Sequence, residues 1–164
     1  MTDKSTFTAQ EWRALRDAPH MVAVAVSAAT ASGVTGTLHE AVSASTALME
    51  GVKSESALLR SLITREELLA AQESLRENVK DAHADRGKLE FQDLMLGEVR
   101  EAVGVLDRRA KPEEAEAYRA FLLYVANSVA EAAREGGFIG IGGKRVSDEE
   151  QRLLERLRGV VRKV

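Results

Sequence analysis

Residues 112–135 read PEEAEAYRAFLLYVANSVAEAARE, the longest helical pattern in this chain of 164 residues. Pro112 suits the first position of a helix, because its missing N–H would find no helical acceptor there. From Tyr118 to Val125 nearly every side chain is apolar, and Val129 follows one turn later. A helix that is apolar on all sides is surrounded by other elements. The pattern therefore predicts that this helix is the central element of the fold.

Apolar stripes at spacings of three and four predict further helices before and after it. Between Leu38 and Val52 the stripe includes Leu48, Met49 and Val52, which we expect to face the core. Side chains that cap helix N-termini mark three helix starts. The capping pairs are Thr8 with Glu11, Thr64 with Glu67, and Ser147 with Glu150.

The segment 21–31 is compatible with either a helix or a strand. Valine and alanine alternate from Val22 to Val26, a period of two that suits a half-buried strand as well as a fully buried helix. We favour a helix, because an isolated strand would have no hydrogen-bonding partner. We expect a short helix from Ala9 to Asp17, followed by a second helix that Pro19 opens.

The composition favours helices along the whole chain, since Ala, Leu, Glu and Arg abound and only two prolines occur. Apolar residues make up 45% and charged residues 30%, which is typical of a soluble globular domain. We expect residues 1–164 to form one all-α domain, an antiparallel bundle of about six or seven helices. Residues 21–42 and 122–154 each run from an alanine-rich helix through a glycine-bearing loop into another helix. This similarity reflects either an internal pseudo-two-fold or chance.

The composition also excludes several functions. Without cysteine the chain has no disulfide, thiolate metal site or cysteine nucleophile. A formal net charge of -3 demands neither nucleic acid nor an acidic membrane as a partner. The longest apolar run, Met21 to Ala31, is too short to span a bilayer, and the first residues do not resemble a signal peptide. We therefore expect a cytoplasmic protein with no membrane partner.

A glycine-rich segment, GGFIGIGG at residues 136–143, contains three large apolar side chains. It lacks the Gly-Lys-Ser/Thr ending of a phosphate-binding loop, and it follows a helix where a dinucleotide-binding loop follows a strand. Burial of Phe138, Ile139 or Ile141 would each contribute roughly 1.5–3 kcal/mol, so we expect these side chains to be covered. Either the segment folds over one end of the bundle, or it contacts a partner or a second copy of the chain. These three residues are therefore the candidate interaction site.

The sequence contains no pattern typical of a catalytic or metal site. His20, His39 and His83 lie far apart and belong to no metal-binding motif. The acidic clusters at 113–116 and 148–150 lie at helix starts, where the helix dipole favours negative charge. Residues 144–164 carry seven Lys or Arg against four acidic residues, but no aromatic residue that would stack on bases. We predict no catalytic residue, no metal site and no cofactor, and the sequence does not favour nucleic-acid binding.

Two stretches, FTAQEWRALRDAPHMVAVAVSAA at 7–29 and VAEAAREGGFIGIGGKRVSDEEQRLL at 129–154, resemble a group of small bacterial all-helical proteins of unassigned function. The second stretch is also faintly similar to the TerB-like domains of tellurite resistance, whose loop-helix motif reads Asp-Gly-x-Val-Ser-x-x-Glu. Gly142 stands where that motif has aspartate, and one extra residue separates glycine from valine. The matching positions are Gly143, Val146, Ser147 and Glu150.

Two functions follow as expectations. The first is a non-enzymatic helical domain that acts through protein–protein contacts, either by self-association or by assembly with another bacterial factor. The alternative, implied by the TerB-like resemblance, is a stress protein that responds to divalent metal, with oxygen ligands from Asp148, Glu149 and Glu150. A small-molecule pocket among the helices is compatible with the composition as well.

Overall fold

The computed structural model describes residues 2–30, 44–83, 88–136 and 148–162, and these ranges contain seven α-helices and no strand. The prediction of an all-α bundle is confirmed. Two 3₁₀ turns, Lys4–Thr6 and Gly51–Lys53, precede the first and third helices. The helices are α1 (Ala9–Thr30), α2 (residues 44–50), α3 (Ala57–Leu62), α4 (Arg65–His83), α5 (Lys88–Arg109), α6 (Pro112–Gly136) and α7 (Asp148–Val161).

The first long helix, α1, is continuous, and the predicted break at Pro19 is wrong. Proline interrupts a helix partly because it cannot donate to the carbonyl four residues earlier, here that of Leu15. In this fold the hydroxyl of Tyr118, on α6, donates to the Leu15 oxygen at 2.5 Å. A side chain from a distant part of the sequence thus supplies the missing donor, and the helix passes through the proline. The preference for helix over strand from residue 21 onward is confirmed as far as Thr30.

Two helices share the centre of the bundle, α1 and α6, and the sequence pattern predicts only α6 there; each packs against four other helices. Helix α1 packs against α4, α5, α6 and α7, and all residues from Asp17 to Ala23 are buried. Helix α6 contributes its buried face to the same core, with Tyr118, Leu122 and Val125 fully buried. Its opposite side faces solvent, since Tyr124 is 46% exposed and Asn127 is exposed. Although the sequence of α6 is apolar almost all round at its centre, other helices therefore do not cover it on all sides.

The helix caps follow the predictions in part. Thr8 and Glu11 form a reciprocal box, in which the Thr8 N–H donates to the Glu11 carboxylate at 2.9 Å and the Glu11 N–H donates to Thr8 Oγ1 at 3.2 Å. Thr64 accepts from the Glu67 N–H at 3.2 Å, but the Glu67 carboxylate pairs with Lys4 and Arg16. The third predicted cap, at Ser147, lies outside the described residues.

Within the described ranges, no helix has both the length and the apolar character that a membrane crossing requires.

Candidate interaction surface

The sites singled out from the sequence are placed only in part by the structure. Phe138, Ile139 and Ile141 lie outside the described residues. Of the three acidic residues at the start of α7, Asp148 is exposed, Glu149 is half-buried and Glu150 is buried. Consecutive helical residues point about 100° apart, so these carboxylates do not converge on one ion. No cluster of three or more His, Asp or Glu side chains suited to a metal occurs in the part of the chain that is described.

A group of exposed apolar side chains lies where α2 ends and the 3₁₀ turn Gly51–Lys53 meets α6. Met49 is 50% exposed, Val52 is 41% exposed and Tyr124 is 46% exposed. Two further exposed leucines, Leu69 on α4 and Leu94 on α5, lie on other helices. Single exposed apolar residues are common on protein surfaces, so the grouping of three is the informative feature.

Gly51 explains why the 3₁₀ turn lies so close to α6. A Cβ atom at this position would stand 2.0 Å from Ile63 Cδ1 and 3.0 Å from the Phe121 ring. The backbone of the turn therefore rests on these two side chains, and only glycine fits there without displacement. Phe121 is one turn before Tyr124 on α6, so the turn that carries Val52 is held beside the exposed Tyr124 ring.

An ion pair borders these apolar side chains. Lys53 Nζ lies 2.6 Å from Glu50 Oε1. The pKa of Lys53 is raised by this hydrogen bond and by the Glu50 charge, and Tyr124 adds to the rise. We refer to Met49, Val52 and Tyr124, with Glu50 and Lys53 at their edge, as the α2–α6 patch.

The sequence alone does not reveal this patch. Its apolar stripe predicted Leu48, Met49 and Val52 on the buried side of one long helix, whereas only Leu48 of these three residues is buried. The helix ends at Glu50, and the 3₁₀ turn alters the direction of the residues that follow. Gly51 is the signal in the sequence that marks this change.

A second polar feature, between α1 and α4, is a network of paired charges. Asp17 is buried; its carboxylate accepts from Arg16 at 2.7 Å and from the Ser74 hydroxyl at 2.6 Å. Arg13 donates to Ser74 Oγ at 2.9 Å and lies 3.5 Å from Asp17. Glu67, also buried, pairs with Lys4 at 2.5 Å and with Arg16 at 3.8 Å. Because its carboxylates are already paired with neighbouring cations, we interpret the network as a clamp that joins α4 and the N-terminal turn to α1.

The basic residues of α7 are partly neutralised within the fold. Arg156 pairs with Asp93 of α5, and the Arg152 side chain donates to the backbone oxygen of Asp148 at 2.9 Å. Arg156 also faces Arg100 across a shallow groove of about 360 Å³ between α5 and α7. These arginines do not form a continuous basic stripe of the kind that follows a phosphate backbone.

Comparisons with protein-family models, with curated proteins and with solved structures find no significant match to this chain. The resemblance to TerB-like domains therefore stays a prediction.

Proposed function

We propose that this chain is a non-enzymatic helical domain that acts through protein–protein contacts, and that its first partner is a second copy of itself. The observation that carries the proposal is the exposure of Met49, Val52 and Tyr124 on the two sides of the junction where the 3₁₀ turn packs against Phe121 of α6. Contiguous exposed apolar side chains mark interaction sites in soluble proteins, and Tyr and Met are enriched there. The proposed setting is the bacterial cytoplasm, on the basis of the resemblance to small bacterial helical proteins.

Charge supports a second copy as the partner. The apolar centre of the patch carries one acidic and one basic side chain at its edge, Glu50 and Lys53. In a two-fold symmetric dimer the same surface meets itself, so each Lys53 can face Glu50 of the other copy. The patch is therefore self-complementary in charge as well as in apolar character. The three residues of the glycine-rich segment, Phe138, Ile139 and Ile141, remain candidates for a wider contact.

Sedimentation velocity over a concentration series tests this proposal. We expect a monomer–dimer equilibrium for the parent chain and a shift toward monomer for Val52→Asp, because the new carboxylate would be desolvated in the interface. Leu69→Asp is the matched control, since Leu69 is 58% exposed on α4 and receives the same change. Circular dichroism checks that both variants keep their helices.

Two results would contradict self-association through the patch. One is a parent chain that stays monomeric at protein concentrations on the order of 1 mM, where even contacts worth about 4 kcal/mol would populate a dimer. The other is equal dimerisation of Val52→Asp and the parent chain.

A further inference from the structure

A cleft of about 440 Å³ lies where the end of α5 meets the start of α6. Its apolar walls include Leu106, Ala110 and Ala115, and three charged side chains, Asp107, Glu116 and Arg119, line the same space. Small-molecule sites combine an apolar lining with a few polar groups, and this volume falls within their usual range. The cleft is separate from the α2–α6 patch and is not used by the proposed self-association.

Arg119 is the unusual member of this group. Its side chain is only 12% exposed, and one guanidinium nitrogen donates to Asp107. Its Nε atom is buried and finds no hydrogen-bond acceptor among the described residues. A buried guanidinium with an unused donor is a costly arrangement, and such groups often mark a place where another molecule binds.

The two carboxylates offer the opposite charge. Asp107 is 41% exposed, and Glu116 is exposed and makes no ion pair with any residue in the described ranges. Glu116 and Arg119 are three residues apart on α6, and therefore lie on the same side of that helix. The cleft thus presents a positive and a negative region beside an apolar wall. Because it carries two carboxylates and one guanidinium, it disfavours a simple anion.

We propose that this cleft binds a zwitterionic small molecule with an apolar side chain, of the class of free α-amino acids. The ligand ammonium pairs with Glu116 and Asp107, the ligand carboxylate accepts from the terminal nitrogens of Arg119, and the apolar side chain contacts Ala110 and Pro112 at the wall of the cleft. Hydrogen bonds between a guanidinium and a carboxylate are about twice as strong as neutral ones, which suits Arg119 to this role.

Isothermal titration with three related probes tests the proposal. L-leucine carries both charges, leucinamide only the positive charge, and N-acetyl-L-leucine only the negative charge. We expect L-leucine to bind at least about tenfold more tightly than either analogue, because each analogue leaves one charged region unpaired. Failure to detect L-leucine binding up to about 10 mM, or equal binding of L-leucine and either analogue, would overturn the proposal.

Variants assign the charged regions. Glu116→Gln removes an exposed carboxylate without disturbing the core, and we expect it to weaken L-leucine binding about tenfold. Glu113→Gln is the control, because Glu113 is exposed on the same helix but does not line the cleft. Arg119→Lys keeps the positive charge and loses the paired donors, so we expect weaker L-leucine binding with a retained thermal transition. Unchanged affinity in both Glu116→Gln and Arg119→Lys would show that L-leucine binds elsewhere and would overturn the assignment.

Discussion

At the scale of single residues, the hydrogen bond from Tyr118 to the Leu15 oxygen decides how the chain passes Pro19. The proline removes one donor from the middle of α1, and the buried Leu15 carbonyl would be left without its helical partner. Tyr118 is completely buried, and its hydroxyl reaches that oxygen from α6. Burial raises the pKa of Tyr118 well above its ordinary value, and the nearby Asp17 charge acts in the same direction. The hydroxyl therefore remains a donor at neutral pH.

Replacement of this tyrosine tests that role. We expect Tyr118→Phe to lower the free energy of unfolding by about 1–3 kcal/mol, because it leaves a buried carbonyl unsatisfied. In a Pro19→Ala background the new N–H can donate to Leu15, so the same replacement should cost less. Urea denaturation of the four proteins in this cycle measures the coupling between the two positions. Equal losses in both backgrounds would show that the Tyr118 hydroxyl does not compensate for the donor that Pro19 lacks.

His20, one turn after Asp17, predicts a response of stability to pH. Burial lowers the pKa of His20 below its ordinary value near 6.5, the Arg16 charge acts in the same direction, and the Asp17 charge opposes it. Between the lowered pKa and 6.5, the unfolded chain binds a proton that the folded chain does not, so the free energy of unfolding falls as pH falls. We expect this decrease to begin near pH 6.5.

Urea denaturation between pH 7 and pH 5 measures the slope, which reaches at most about 1.4 kcal/mol per pH unit for one proton. Glu98 has the opposite effect, because burial and the Glu101 and Asp17 charges raise its pKa. His20→Gln serves as the reference, since it retains Glu98 and loses only the imidazole. A variant with the same slope as the parent chain would assign the response to other groups.

At the scale of the elements, the charge network holds α4 against α1 where apolar packing alone is limited. Asp17 is the centre of this network, since Arg13, Arg16 and Ser74 all lie within 3.5 Å of its carboxylate. Two of these partners are themselves on α1, and Ser74 is on α4. Arg13 and Arg16 therefore flank the Asp17 carboxylate on α1, and Ser74 of α4 donates to the same carboxylate.

Removal of the Asp17 carboxylate tests whether this buried network stabilises the fold more than an exposed ion pair does. We expect Asp17→Asn to cost about 3 kcal/mol of unfolding free energy, because it leaves the Arg16 guanidinium, whose side chain is only 14% exposed, without its nearest anion. Glu73→Gln on α4 is the control, since Arg76 and Glu73 form a pair that is 71% and 66% exposed. Exposed pairs contribute about 0–1 kcal/mol, so a similar effect in both variants would contradict the clamp.

The junction between the 3₁₀ turn and α6 predicts that replacement of Gly51 destabilises the fold. We expect Gly51→Ala to destabilise the fold by about 1–3 kcal/mol, because the added methyl would overlap Ile63 and press on Phe121. Gly159→Ala is the matched control, since a Cβ atom there meets nothing within 4 Å in the described structure. Alanine favours a helix over glycine by about 0.5–1 kcal/mol, so thermal denaturation should show opposite changes for the two variants.

At the scale of the whole molecule, α1 is the most extensively packed helix. Four helices contact it, and its buried segment from Asp17 to Ala23 continues through Val26 on the inner face. The apolar run that begins at Met21, which suggested either a strand or a buried helix, thus lies in the core of the bundle. Helix α6 also carries apolar side chains outside the core. One of them, the exposed Tyr124, forms part of the α2–α6 patch.

This arrangement predicts the order of local stability. We expect the slowest amide hydrogen exchange in α1 between Met21 and Val26, because these amides open only when the whole bundle unfolds. Exchange in α2 and in the Gly51–Lys53 turn should be faster, since half of the residues from 44 to 53 are exposed. Mass spectrometry of exchanged peptides measures both, and faster exchange in α1 than in α7 would contradict a central α1.

The sequence by itself determined the fold class, the start of α6 at Pro112 and the cap at Thr8, because helix periodicity and capping act over a few residues. It also excluded cysteine chemistry outright. The tertiary structure alone decided which side of each helix is covered, because this depends on how the helices assemble. It alone revealed that Pro19 lies inside a continuous helix, since the compensating donor comes from Tyr118, 99 residues later in the chain. The exposure of Met49 and Val52 likewise depends on how the 3₁₀ turn packs against Ile63 and Phe121. The meeting of Asp107 with Arg119 depends on the angle between the consecutive helices α5 and α6, which local patterns do not contain.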